Sequence, residues 1–385
     1  MRLLLCHRAF PGQFRWLLDE FNRVGIDVVF ICKEKNNWSI PDNCRVIQTD
    51  QIKHSLGHFY NSIGEEFSSE FIKVSLFLKS QGWTPDCILA HSGWGAWRAC
   101  NVFPSSRLII YAEWWYTEVN LKYMGFTDMN EYHEINAATK NAILASDFTL
   151  TPTEWQKHQF PINLKSKINV IEDGFPDSLF NYNNTVGNRK SEKLELIFAA
   201  RSLEYSRGID RLLYLINFAD KNDLKCNFTI IADNRRVYDS KEAYSSMQSV
   251  IKEIKEHPMV TFDKQKGYTD YVNSLKSADI HLYLSRPFVL SWSFIESMLC
   301  GSFVFTIDNP ASLEKTGISH INFPNIDKCC ETVALYSQAE MRDKLRNRKA
   351  QRFQNGPVEY EINYRSRHSL QGMAHRLYSM FINSL

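Results

Sequence analysis

Short apolar runs alternate with longer amphipathic stretches over almost the entire chain, and this alternation limits the fold more than any other feature. Strands of a parallel sheet covered on both faces read as continuous apolar runs of about four to eight residues, whereas the helices between them show a 3.6-residue period. Leu3–Cys6, Asp27–Cys32, Cys87–Ala90, Leu108–Tyr111, Phe148–Leu150 and Ile168–Ile171 have the strand character. Gln13–Val24, Glu65–Lys79, Gly95–Phe103 and Glu131–Ala145 have the helical one. The pattern then restarts. Leu194–Ala199, Phe228–Ala232, Val260–Phe262, Ile280–Leu284 and Phe303–Thr306 predict strands, and Ile209–Ala219, Lys241–Glu256, Tyr268–Ser277 and Ser293–Leu299 predict helices. Strands alternating with helices imply parallel sheets wound by right-handed crossovers.

A polar, turn-rich stretch, Asp177–Lys193, interrupts the pattern with Asn181-Tyr182-Asn183-Asn184 and Gly187-Asn188-Arg189-Lys190. The expected architecture is therefore α/β, with two Rossmann-like doubly wound domains facing a central cleft. Residues 1–176 form the first and 177–365 the second, while a helical tail, 366–385, packs back on the first. In open α/β sheets ligands bind beyond the carboxyl ends of the strands.

Composition removes several function classes. With 44% hydrophobic and 23% charged residues in 385 positions the chain is globular. Its 45 Lys+Arg balance 43 Asp+Glu, so no nucleic-acid partner is implied. The nine cysteines contain no Cys-x-x-Cys pair and several sit inside apolar runs, as expected of reduced core thiols in a cytoplasmic protein. The amino terminus opens directly into a strand pattern without a signal segment, and no apolar run approaches the ~18 residues of a membrane span.

Familiar cofactor motifs are missing. No Gly-x-Gly-x-x-Gly follows the first strand, and no Walker loop, His-Glu-x-x-His or Asp-x-Asp occurs. A nicotinamide dehydrogenase and a phosphate-loop ATPase are disfavoured, and neither a metal nor an organic cofactor is expected. Three other stretches carry chemistry. After the first strand, His7-Arg8-Ala9-Phe10-Pro11-Gly12-Gln13-Phe14 places a glycine just before a helix, where backbone amides can approach an anion. Ala200-Arg201-Ser202-Leu203-Glu204-Tyr205-Ser206-Arg207-Gly208 places one arginine at a strand's carboxyl end and another at the next helix start. Two guanidinium groups so spaced can clamp a diphosphate. Ser285–Glu296 links a strand to a helix, exposing successive amides and setting Glu296 in the first helical turn, where a carboxylate can accept hydrogen bonds from ribose hydroxyls. Taken singly, such a glutamate is ordinarily a capping carboxylate.

Together these residues resemble a glycosyltransferase of the GT-B fold, family 4, of the kind found in capsule, exopolysaccharide and lipopolysaccharide biosynthesis, over nearly the full chain. The resemblance is carried by Phe10–Phe14, His91-Ser92-Gly93-Trp94-Gly95, Pro152-Thr153-Glu154-Trp155-Gln156, Ile171-Glu172-Asp173-Gly174, Arg201 through Gly208, and Pro287–Ser293 with Glu296. It implies that Arg201 and Arg207 hold the pyrophosphate of a nucleotide sugar and that the Gly12 amide faces the same phosphates. It places Glu296 on the donor ribose, the amides of Leu290, Ser291 and Trp292 on the donor sugar, His91 near its reacting carbon, and Asp173-Gly174 at an interdomain turn. The implied reaction moves a sugar to a hydroxyl acceptor, a glycan or lipid-linked saccharide, with retention of anomeric configuration, the arginines and helix-end amides stabilising the departing diphosphate.

One position departs from the family pattern. Eight residues before Glu296, where a first glutamate is usual, stands Phe288. Glu113 and Glu118 are candidate substitutes, or alternatively solvated loop acids. Trp94 and Trp114, with Trp97, Trp115 and Tyr116, offer aromatic faces to an acceptor, or alternatively pack in the core. The basic stretch Met341–Arg352 reads as a solvated helix face, or alternatively as a peripheral contact with an anionic membrane surface. His54, His58 and Tyr60 fall in an expected loop on the acceptor side. A sugar-nucleotide epimerase, a phosphorylase and a catalytically silent sugar-nucleotide-binding subunit remain alternatives on the same fold.

Overall fold

The computed structural model describes residues 1–52, 63–176, 179, 191–233, 235–263, 267–314, 320–354, 372–373 and 376–377. His54, His58, Tyr60 and nearly all of the Asp177–Lys193 stretch lie outside them. Contacts divide the chain into two units. The first comprises Met1–Thr117 and Asp128–Pro176, with Met373 and Leu377 in its core; the second comprises Glu118–Thr127 and the described residues of 177–365.

In the first unit, strands β1 (Arg2–Cys6), β3 (Asp27–Cys32), β5 (Cys44–Gln48), β6 (Cys87–His91), β7 (Arg107–Tyr111), β8 (Phe148–Thr151) and β9 (Ile168–Val170) form one sheet in the order β5-β3-β1-β6-β7-β8-β9. The two-residue strands β2 (Ala9–Phe10) and β4 (Glu34–Lys35) pair separately. Every pairing is parallel. Successive side chains alternate between two cores, as a two-residue period requires. Leu4, Cys6, Val29, Ile31, Ile88, Ala90, Leu108 and Ile110 face one core, whereas Leu3, Leu5, Val28, Phe30, Leu89, Ile109 and Tyr111 face the other. Both faces are buried, which is why the strands read as continuous apolar runs.

The second sheet joins β10 (Leu194–Ser202), β11 (Cys226–Asp233), β12 (Val260–Asp263), β13 (Ile280–Leu282), β14 (Phe303–Ile307) and β15 (His320–Phe323) in the order β12-β11-β10-β13-β14-β15, again parallel throughout. Leu196, Phe198, Ile230, Ile280, Leu282 and Phe305 meet Leu212, Leu215, Ile216 and Ile251 of the flanking helices in one core. Doubly wound α/β character thus holds in each unit.

Besides the two-residue strands β2 and β4, two strands of the main sheets escaped the apolar-run reading, β5 and β15. Both are sheet edges, half covered, with polar residues such as Arg45 and Asn322 interrupting the pattern. The expected helix Gly95–Phe103 is a 3-10 helix, Ala96–Asn101, entered through two left-handed residues, Trp94 (φ 62°) and Gly95 (φ 72°). Lys241–Glu256 forms two helices, Lys241–Ser246 and Gln248–Glu256. The basic stretch lies on helix Ala339–Gln354, but it is not a solvated face throughout. Arg342 and Lys349 are buried, and Arg346 forms a bidentate pair with the buried Asp279 while donating to the carbonyls of Ser191 and Lys193. Among the described residues no helix is long and apolar enough to cross a membrane.

Candidate functional site

Each unit gathers polar side chains at the carboxyl ends of its central strands. In the first, β1 ends beside His7 and β6 ends on His91, adjacent strands whose rings meet edge to face with centroids 5.3 Å apart. The indole of Trp94 stacks on His91 at 4.5 Å and contacts His7 edge-on at 5.1 Å. Its left-handed backbone turns the side chain back over the strand end. The Gly93 amide donates to His91 Nδ1 (2.9 Å), so the neutral ring carries its proton on Nε2. That nitrogen lies 3.6 Å from Glu113 Oε2, and the same carboxylate oxygen accepts from Gln13 Nε2 at 3.0 Å. Partial burial works against the Glu113 charge, but His91, Gln13 and His7 together hold its pKa below the ordinary carboxylate value. Burial, then the proximity of His91, lowers His7 to about 3. Both Nε2 atoms are buried without a hydrogen-bond partner among the described residues.

Gly12 sits against this pair. Its φ is +53°, and a Cβ there would fall 2.4 Å from His7 Nδ1, so glycine lets the loop lie flat on the imidazole. Asp173 is buried and accepts from the Tyr111 hydroxyl (3.1 Å), and the Gly174 amide faces Met373 Sδ. Both therefore secure the end of the first unit's chain. Trp114 is buried. Glu118 heads the short helix Glu118–Tyr123, exposed and paired with Lys122 at 2.7 Å, and its segment belongs to the second unit. Of the two candidate acids, only Glu113 joins the histidines.

In the second unit, β10 delivers Arg201 to the surface and a 3-10 turn, Tyr205–Arg207, brings Arg207 underneath. Arg207 is 4% exposed, and its guanidinium lies over the Tyr238 ring at 4.7 Å and the Phe288 ring at 5.9 Å. Its buried Nε meets no acceptor, and among the described residues no carboxylate pairs with it. A buried, unpaired guanidinium is costly unless an anion meets it. Arg201 Nη1 reaches the Tyr238 hydroxyl at 3.5 Å. Phe288, at the departure from the family pattern, is buried edge-on to Tyr238 at 5.4 Å, so it houses the arginine instead of contributing charge.

The loop before helix Trp292–Leu299 is shaped from beneath. Leu290 is buried, and the Tyr283 hydroxyl accepts from the Ser291 amide at 3.0 Å. Trp292 and Ser291 are half-buried at the helix start. Glu296 is buried, with one carboxylate oxygen accepting from Tyr268 (2.9 Å) and the other from Tyr271 (2.8 Å). Those two tyrosines fix the carboxylate's orientation, and Glu296 lies past the first turn of its helix, not in that turn as the sequence pattern predicts.

Several residues of these clusters escaped sequence reasoning. His7 and Gln13 stood in a motif valued for its glycine. Tyr238, some 31 positions after Arg207, had no local signal. Arg286 looks like a third anion ligand, yet it is spent in a bidentate pair with Asp210 and stacked on Tyr205. Glu204 is fully buried and serves the arginine turn from within.

Residues 24–179 match the glycosyl transferase family 4 group. No curated protein matches the chain in sequence. Among solved structures, Anabaena HepE in complex with UDP-glucose is similar at a TM-score of 0.70 and 12% identity, covering 100% of both chains. Sucrose-phosphate synthase from Thermosynechococcus elongatus is similar at 0.70 and 14%, covering 100% of this chain and 98% of that one. WaaG, a glycosyltransferase involved in lipopolysaccharide biosynthesis, is similar at 0.64 and 14%, covering 96% and 99% respectively. At such identities the likeness speaks to the fold, two Rossmann-like units of the GT-B type.

Proposed function

We propose that this chain, GT-B in fold and matching the glycosyl transferase family 4 group over residues 24–179, transfers a sugar from a nucleoside-diphosphate sugar to a hydroxyl acceptor. The observation that carries this reading is Arg207, buried among aromatic rings with no carboxylate paired to it among the described residues, and Arg201 at the hydroxyl of the Tyr238 ring that Arg207 lies over. Two guanidinium groups in a partly desolvated setting match a diphosphate, and they stabilise it most as it departs with full charge. On this reading the arginines supply the cationic charge without a metal. Glu296 takes the ribose, and Leu290–Trp292 meet the sugar. His91 Nε2–H and Glu113 form a donor and acceptor pair suited to a sugar hydroxyl. Transfer proceeds with retention, and the acceptor is a glycan or lipid-linked saccharide. The support for donor class is twofold: the arginine site itself, and neighbours of the same fold that are solved with UDP-glucose or named as sugar transferases.

Incubation with UDP-, GDP- and ADP-sugars, followed by release of the nucleoside diphosphate, tests the reading. Arg207→Ala is expected to weaken nucleotide binding in calorimetry by at least about 2 kcal/mol, roughly thirtyfold in Kd. An unchanged Kd would remove the arginine assignment. A second reading, a binding subunit without turnover, draws on Phe288, which puts a hydrocarbon ring where the family pattern has a carboxylate. Tight binding with no release of diphosphate under any acceptor would favour it.

A further inference from the structure

The turn that carries Arg207 and the loop that covers it are held by one buried side chain. Glu204 is 0% exposed. Its Oε1 accepts from three successive amides, those of Val237 (2.7 Å), Tyr238 (2.7 Å) and Asp239 (2.9 Å), and its Oε2 accepts from the buried Ser202 hydroxyl. Three consecutive N–H groups converging on one point form a concave anion nest. Here the nest is filled by the protein's own carboxylate. The backbone carbonyl of Glu204 also accepts from the Arg207 amide at 3.0 Å, closing the arginine turn. Asp239, the last residue of the nest, returns the link by accepting from the Ser206 amide at 3.3 Å. The loop and the turn are thus tied in both directions, and what they bring together is the Tyr238 ring over Arg207, with the Tyr238 hydroxyl at Arg201.

We propose that Glu204 is the positioning residue of the arginine site: by gathering the 237–239 amides it sets Tyr238, and through Tyr238 it sets the orientation of both guanidinium groups. The proposal rests on the reading of that site as a diphosphate site. Glu204 touches no substrate in this scheme. Loss of its carboxylate leaves three amides without an acceptor, so the loop must rearrange toward water and Tyr238 leaves the arginine.

The test measures Kd for UDP, GDP and ADP by calorimetry on the full chain, in parallel with unfolding by urea. Glu204→Ala is expected to weaken the tightest of the three by about tenfold, and Tyr238→Ala by a similar factor. Because one acts through the other, the double variant is expected to bind no worse than either single variant. Glu204→Gln keeps a carbonyl oxygen for the amides and is expected to stay within about threefold of the wild type. A residue with a merely structural role would lower stability without this non-additive pattern. Additive losses in the double variant, or an unchanged Kd in Glu204→Ala while Arg207→Ala binds weakly, would overturn the positioning role. Should Glu204→Ala fail to fold, an unchanged Kd in Tyr238→Ala overturns it equally. If the wild type binds none of the three, or Arg207→Ala binds as well as the wild type, the diphosphate reading itself falls and the positioning role with it.

Discussion

At the scale of single residues, backbone geometry at the arginine turn is as demanding as its charge. Gly208 closes the turn at φ +80°, and a Cβ there would lie 2.2 Å from the Leu284 carbonyl oxygen. A left-handed residue facing a backbone atom cannot relax by a rotamer change. Gly208→Ala is therefore expected to destabilise the second unit by more than about 1 kcal/mol and to weaken nucleotide binding, read by urea unfolding and calorimetry on the same sample. The sequence announces this glycine because an arginine precedes it and a helical pattern follows. It does not announce Phe288 as a lining residue of Arg207, since that contact joins segments some 80 positions apart.

At the scale of elements, continuous apolar runs marked the strands whose two faces are covered, and failed at the edges β5 and β15. The same failure in another form affected helix Ala339–Gln354. Its composition suggests solvation, yet Arg346 is anchored by the Asp279 carboxylate and two carbonyls, and Lys349 donates to the carbonyls of Lys276 and Ala278. Long basic side chains bury their stems and satisfy their heads on chain ends that need donors. Without the guanidinium the Asp279 carboxylate, only 5% exposed, keeps the Glu195 amide at 2.9 Å but loses its counter-charge. Arg346→Ala is thus expected to cost about 3 kcal/mol or more in urea unfolding. Lys344→Ala, whose partner is the exposed Glu340 at 2.7 Å, is expected to change stability by less than about 1 kcal/mol.

For the whole molecule, buried imidazoles set the response to acid. Desolvation lowers His7 and His281 to about 3 and His320 to about 4. His281 shows why: it is 0% exposed and in register lies between Ile197 and Val304 on the two neighbouring strands, so its protonated form would lose its hydration. In the unfolded chain these rings take up protons as pH falls through about 6.5, while the folded protein keeps them neutral, so stability declines on acidification from 6.5 toward 4. Asp239 opposes this, because burial raises it to about 6 and the folded state then binds its proton first. Three groups against one leave a net linkage of about two protons near pH 5. Urea midpoints measured from pH 4.5 to 7.5 are expected to fall with acid, and His281→Gln is expected to flatten that slope by about one proton.

What the amino-acid order determined by itself is whatever neighbouring residues decide: the alternation of strand and helix, the two α/β units, the glycines at strand ends, and the placing of Arg201 at the end of one strand with Arg207 just after it. Tertiary structure alone decided the rest. It set Tyr238 and Phe288 around Arg207, paired His7 with His91 through adjacent strands β1 and β6, put Glu113 beside His91, and turned a basic helix inward. The physical reason is that charge and hydrogen bonding in a buried place depend on what is packed against a group, and packing joins residues that the chain keeps far apart.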